Sequence, residues 1–165
     1  MAHSGQKNSV QQFDKAQAWE KIKHFCRYQE RCHSEVSERL FSYGMDAAES
    51  GQIISRLIEE SYLNEERFAI QYAGGHFRIK KWGKVKIAYA LKQKQVSAYC
   101  IKKALALIDA DDYFTTADKL ANEKLRTLKA GKTSEKHYKC RQFLLQRGFE
   151  GTLIDQVLKT RLFDK

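Results

Sequence analysis

The chain has 165 residues, with 30 Lys+Arg against 20 Asp+Glu for a formal net charge of +10, 42% hydrophobic residues and no proline. This length suits one ordinary domain or a short array of small helical units, and the absence of proline argues against a turn-rich sandwich and for a chain made mostly of helices. No apolar run approaches the ~20 residues of a membrane span and no signal peptide opens the chain, so a soluble, cytoplasmic protein without membrane contact is expected, whose charge suits a polyanion or an acidic protein surface.

Residues 1–12 are polar and aperiodic and are predicted to form a disordered tail. From Phe13 to Tyr28 the pattern is helical, with Trp19, Ile22 and Cys26 sharing a face. A second helix is predicted over His33–Tyr43, with Ser34 as its cap or first residue, Val36 and Leu40 as its seam and Gly44 as its stop. Met45 then turns inward, and a third helix over Asp46–Glu60 carries Ile53, Ile54, Leu57 and Ile58. Asn64 caps a fourth helix, with Arg67 where a capping-box acid would stand, and this helix fades through Phe77 and Ile79 into Lys80-Lys81-Trp82-Gly83. A fifth covers Lys84–Lys94 with Ile87 and Leu91 inward, and Ser97 caps a sixth that runs through Ile108. Asp111 or Asp112 caps a seventh, reaching Leu128. Beyond the polar linker around Gly131, helices near Ser134–Arg147 and Gly151–Leu162 complete the pattern.

The pattern repeats. Gly44, Gln95 and Gly148 superpose, with Leu40, Leu91 and Leu144 four residues before them and Met45, Val96 and Phe149 one residue after. Tyr62 aligns with Tyr113 and Leu63 with Phe114 in the first two copies. The expected fold is therefore all-α: three tandem three-helix repeats, about nine helices, over residues 13–62, 63–110 and 111–165. Units of this size have thin cores and must lean on one another, which suggests an elongated, curved, right-handed or crescent-like array.

Charge is unevenly spread. Residues 1–55 are neutral overall, whereas the run from Arg67 to Ile108 holds ten basic residues and no acidic one. A solubilising surface would interleave both signs, so this run calls for a partner that supplies negative charge. Its densest part alternates Phe77, Ile79, Trp82 and Val85 with Arg78, Lys80, Lys81, Lys84 and Lys86 around Gly83. Lysine predominates, which favours contact with phosphates over reading of bases.

The chemistry-bearing motifs are missing. Gly74-Gly75 is not followed by the ending a phosphate loop needs, and there is no HExxH or EF-hand spacing. The paired acids Glu59-Glu60, Glu65-Glu66 and Asp111-Asp112 fall at helix ends, where negative charge is ordinary. Cys26, Cys32, Cys100 and Cys140 match no metal pattern and read as reduced, buried thiols. No catalytic activity, metal or other cofactor is expected.

Four segments carry a family resemblance. Arg31-Cys32-His33-Ser34-Glu35-Val36, with Leu40 and Tyr43-Gly44, resembles the opening motif of the RecX family. Leu57 followed by Tyr62-Leu63-Asn64-Glu65-Glu66-Arg67-Phe68-Ala69 resembles its most telling segment. Gly83, Ile87 and Leu91 resemble the start of its second repeat, and Lys139, Phe143-Leu144, Arg147-Gly148-Phe149, Ile154 and Val157-Leu158 its closing one. Gln95 departs from the family by replacing a usual glycine, which questions a left-handed backbone there. The resemblance implies a monomeric negative modulator that lodges in the groove of the RecA filament on DNA, inhibits ATP hydrolysis and strand exchange, hinders filament extension, and binds free single- or double-stranded DNA weakly. The partner-binding residues expected on this reading are Arg31, Arg67, Arg78, Lys80, Lys81, Lys84, Lys86, Lys92, Lys94, Lys139 and Arg147. The alternative is a non-enzymatic DNA-binding or structural protein that contacts phosphate backbones without sequence specificity.

Overall fold

The computed structural model describes residues 12–161; the tail expected over residues 1–12 lies, apart from Gln12, outside them, as does the last expected helical residue, Leu162. Among the described residues there are nine α-helices and no strand. They are α1 (Lys15–Tyr28), α2 (His33–Ser42), α3 (Ala47–Glu59), α4 (Glu65–Lys80), α5 (Lys84–Gln93), α6 (Ala98–Ala106), α7 (Ala110–Thr127), α8 (Thr133–Gln146) and α9 (Gly151–Thr160). The chain divides into two compact units between Phe68 and Ala69, inside α4.

The superposable stops have one physical cause. In each, the residue after the C-cap is left-handed: Gly44 at φ 87°, Gln95 at φ 61° and Gly148 at φ 90°. The Met45, Val96 and Phe149 N–H groups donate back to the carbonyls of Leu40, Leu91 and Leu144, each at 3.1 Å. The Gly44, Gln95 and Gly148 N–H groups close the inner bonds at 2.9 Å. These are Schellman motifs, in which the residue after the left-handed one packs on the helix it has left. That is why the leucine and the following apolar residue are both buried in all three copies. Gln95 keeps the left-handed backbone despite its side chain, at a strain cost of about 1 kcal/mol.

In the first unit, α1, α2 and α3 pack pairwise. Trp19, Ile22 and Cys26 meet Val36 and Leu40 from α2, Met45 from the turn, and Ile53 and Leu57 from α3. Ile58, carried by the same helix, is 46% exposed, because the α3 seam follows Ile53 and Leu57. α2 starts at His33 as expected, but Ser34 is neither its cap nor its first residue. Its N-cap is Cys32, whose N–H donates to Glu35 Oε2 at 3.3 Å. Asn64 caps α4 as expected, its Oδ1 accepting the Arg67 N–H at 2.8 Å.

In the second unit, α5 packs on α6, and α7, α8 and α9 pack on one another. The N-cap of α7 is Asp109, not Asp111 or Asp112, whose N–H groups donate to Asp109 Oδ1 at 3.0 and 2.9 Å. Buried Ile108, immediately before that cap, stands where Leu63 stands before Asn64. The Tyr62–Tyr113 and Leu63–Phe114 alignments therefore do not mark equivalent places: α6 is shorter than α3, so α7 begins earlier and Tyr113 lies on it.

The N-terminus of α5 has no capping side chain, because Gly83 occupies the cap. Its orphan donors are satisfied across the fold. The Gly83 N–H donates to the Arg147 carbonyl at 2.7 Å, and the Val85 N–H to the Gly148 carbonyl at 3.0 Å. The Lys84 N–H donates to the Tyr113 hydroxyl at 2.8 Å, which itself donates to Glu150 Oε2 at 2.6 Å. Burial, reinforced by the Glu150 carboxylate, pushes the Tyr113 phenol well above the usual tyrosine range. Tyr113→Phe should lower stability by about 2 kcal/mol, since it strands a helix N–H and a carboxylate together. The raised folded value also fixes the pH dependence. The phenol's contribution is complete below its unfolded pKa of about 10 and is lost as pH rises beyond it. Urea denaturation at pH 7 and pH 11 should show the wild-type advantage over Tyr113→Phe shrinking at the higher pH.

Candidate functional site

The docking of α5 on the α8–α9 turn gathers cations far apart in sequence. On α4, Tyr72, His76 and Lys80 recur every four residues and so share a face. The Tyr72 and His76 rings stack at 3.8 Å, and Trp82 follows His76 at 4.7 Å. Ammonium groups cover this ladder: Lys94 lies 5.8 Å from the Tyr72 ring, and Lys80 and Lys86 lie 5.1 and 4.7 Å from that of Trp82. Lys86 Nζ also reaches the Gln146 carbonyl at 3.5 Å, and the Arg147 guanidinium donates to the Lys80 carbonyl at 3.0 Å. Beyond it, Arg147 and Lys124 flank Phe143 at 5.2 and 5.3 Å. A strip of rings flanked by cations thus runs from Lys94 to Lys124, wholly within the second unit.

His76 sits at its centre. Its Nδ1 lies 2.9 Å from the Tyr72 carbonyl, which can only accept, so Nδ1 carries the proton. Burial lowers its pKa against the pull of that hydrogen bond, and Lys80 and Lys94 push the same way as burial. The uncharged ring is thereby favoured, and it stacks on Tyr72 as an aromatic.

The sequence-predicted residues fall into separate groups. Lys80, Lys86, Lys94 and Arg147 belong to the strip, and Lys84 stands beside it over the Tyr113 ring at 4.8 Å. Lys81 is exposed in the left-handed turn between Lys80 and Trp82, with φ 56°. Lys139 lines a groove of about 270 Å³ with Lys124, Phe143 and Gln146, at the far end of the strip. Lys92 is exposed on α5. Arg78 points elsewhere: its guanidinium lies against Gly74, in a groove that also contains Asp109 and Asp112. In the first unit, Arg31 stacks on Phe25, and Arg67 is engaged by Glu30 and the Ser61 carbonyl. Arg67 thus has its charge taken up inside its own unit. Tyr72, His76 and Lys124 were not among the expected residues; the four-residue spacing of Tyr72, His76 and Lys80 was the available signal.

Two family models match. Residues 64–105 match the second three-helix domain of RecX and residues 111–158 the third, together more than half of the chain. A regulatory protein RecX from Clostridium perfringens is 31% identical over 132 residues, covering 78% of this chain and 61% of the relative. The chain belongs to the RecX family. Another RecX, from Oceanobacillus iheyensis, is 26% identical over 136 residues, 82% of this chain and 50% of that protein. The chain thus spans about half to three-fifths of the length of these curated relatives. The crystal structure of RecX from Lactobacillus salivarius superposes with a TM-score of 0.84 at 22% identity, over 89% of this chain and 96% of that one.

Within the RecX framework, the ring–cation ladder from Tyr72 to Lys94 lies in the segment matched by the second domain, and Lys124, Phe143 and Arg147 lie in the third. The strip can neutralise a row of negative charges, and its rings hold the ammonium groups at fixed spacing. The cysteines serve the core: all four are buried, and desolvation pushes the Cys26 thiol up to about 11. Among the described residues no cluster of three metal-ligating side chains occurs, and no helix is long and apolar enough to cross a membrane.

Proposed function

We propose that this chain restrains the RecA recombinase by binding along its filament on DNA, with the strip from Lys94 to Lys124 as the anion-binding face. The observation that carries the reading is that strip. Lys80, Lys86, Lys94 and Arg147 come from two repeats and are brought together by the α5 docking contacts. The family's regulatory role and the basic strip both suit action by binding, without turnover of a substrate. Lys84, Lys81, Lys92 and Lys139 extend the positive field around the strip, whereas Arg67 has a structural role beside Glu30.

The test is a recombinase ATPase titration, paired with binding to nucleotide-loaded filaments and to bare DNA across a salt series. Inhibition of the ATPase and at least about tenfold tighter binding to filaments than to bare DNA at ~0.15 M salt are expected. Equal affinity for both, with no change in ATPase, would leave a general phosphate-binding protein. That second reading is favoured by one specific feature, the dominance of lysine over arginine in the strip.

A further inference from the structure

The first unit carries nine basic residues against eleven acidic ones and so has no surplus of positive charge, yet it concentrates arginine in one place. Arg31, from the α1–α2 connection, and Arg39, from α2, both lie against the Phe25 ring, their guanidinium carbons 3.8 and 4.7 Å from its centroid. Arg31 is further held by its hydrogen bond to the Phe25 carbonyl at 3.4 Å. These residues border an open groove of about 560 Å³ to which α1 contributes Lys21, His24 and Tyr28, the last 78% exposed.

We infer that this groove binds a short acidic peptide segment of a protein partner, its carboxylates taken by Arg31 and Arg39 and its apolar side chain by Phe25 and Tyr28. A guanidinium matches a carboxylate with two parallel hydrogen bonds, and stacking on an aromatic ring holds the fork flat for that contact. The surroundings disfavour nucleic acid. Glu20 stands on the rim, joined to Lys23 at 2.8 Å, and Glu35 and Glu38 line the adjoining groove that shares Phe25, Arg31 and Arg39. A phosphate backbone carries a charge at every nucleotide and would run past those carboxylates, whereas a peptide can place one or two carboxylates and leave the rest neutral. The inference is independent of the filament reading, because it uses a different unit and different chemistry.

The test uses the full chain, titrated with the peptide acetyl-Glu-Phe-Glu-amide, its Gln-Phe-Gln counterpart and a hexathymidine oligonucleotide, and followed by amide chemical shifts. The acidic peptide should bind at least tenfold more tightly than the neutral one and shift the residues of the groove. Arg31→Gln with Arg39→Gln should abolish that difference while changing oligonucleotide affinity less than twofold. Arg31→Lys with Arg39→Lys keeps the charge but loses the forks, and should weaken the acidic peptide about fivefold or more; it also serves if the glutamine pair does not fold. Equal affinity for the two peptides would overturn the inference, as would acidic-peptide shifts centred on Lys80 and Lys86, or preferential oligonucleotide shifts in this groove.

Discussion

Gly83→Ala should destabilise the second unit by about 3 kcal/mol or more, out of the 5–15 kcal/mol that a domain normally has. A Cβ at Gly83 would stand 2.2 Å from the carbonyl carbon and oxygen of Gly148 and 2.3 Å from the Phe149 nitrogen. All three are backbone atoms, so no rotamer change relieves the overlap. Gly148 is confined from the other side, since its own Cβ would meet the Lys86 Cβ at 2.2 Å and its φ of 90° disfavours any side chain. The two backbones pass this closely because both residues lack side chains. Gly51→Ala is the matched control. It lies inside α3 with nothing within 4 Å of the added carbon, so it should stabilise by about 0.5–1 kcal/mol through helix propensity. Urea denaturation followed by circular dichroism checks both signs. A Gly83→Ala chain as stable as wild type would mean that α5 does not dock on the α8–α9 turn as described. Polyanion binding should fall with stability in this variant, since the same contact brings Arg147 to the Lys80 carbonyl and Lys86 to that of Gln146.

The triple variant Lys80→Glu, Lys86→Glu, Lys94→Glu should lose about a hundredfold in affinity for nucleic-acid-containing filaments at ~0.1 M salt. The slope of log affinity against log salt should fall by roughly three, near one unit for each phosphate contact removed. Helix content should be unchanged, because all three side chains lie on the surface strip rather than in the core. Wild-type binding should also tighten as pH falls through the histidine range. In the free protein burial, aided by Lys80 and Lys94, lowers the His76 pKa; an anion lodged between those lysines reverses their effect and favours the protonated ring, so binding takes up a proton. Retained affinity and an unchanged salt slope in the triple variant would show the strip to be merely solvated. The reversal of Lys92, exposed on α5 but outside the ring–cation ladder, should have the smaller effect of a single peripheral charge.

Much of the fold was legible because its devices are local. A Schellman stop involves residues five apart, so Leu40, Gly44 and Met45 advertise it in sequence, and Gln95 was found within the same frame although it is not glycine. The caps at Asn64 and Ser97 were readable for the same reason. Where the reading slipped, two local patterns competed. Asp109, Asp111 and Asp112 are all good caps, and only the burial of Ile108 selects the first. The tyrosine alignment failed because matched spacing cannot reveal that α6 is shorter than α3.

The candidate site was legible in amount but not in arrangement. Composition determined the surplus of cations, residue order the acid-free run from Arg67 to Ile108, and periodicity the nine helices found among the described residues, since helices follow from residues within a turn or two of each other. Which cations lie together was decided only by tertiary structure. Arg67 was drawn off by Glu30, 37 residues earlier, and Arg78 was turned toward a different groove, while Arg147 was brought to Lys80 across 67 residues. The physical reason is the unmet hydrogen-bonding demand at the start of α5. A helix that opens on glycine has no side chain to cap it, so its N–H groups take the carbonyls of a distant turn, and that turn carries Arg147 with it.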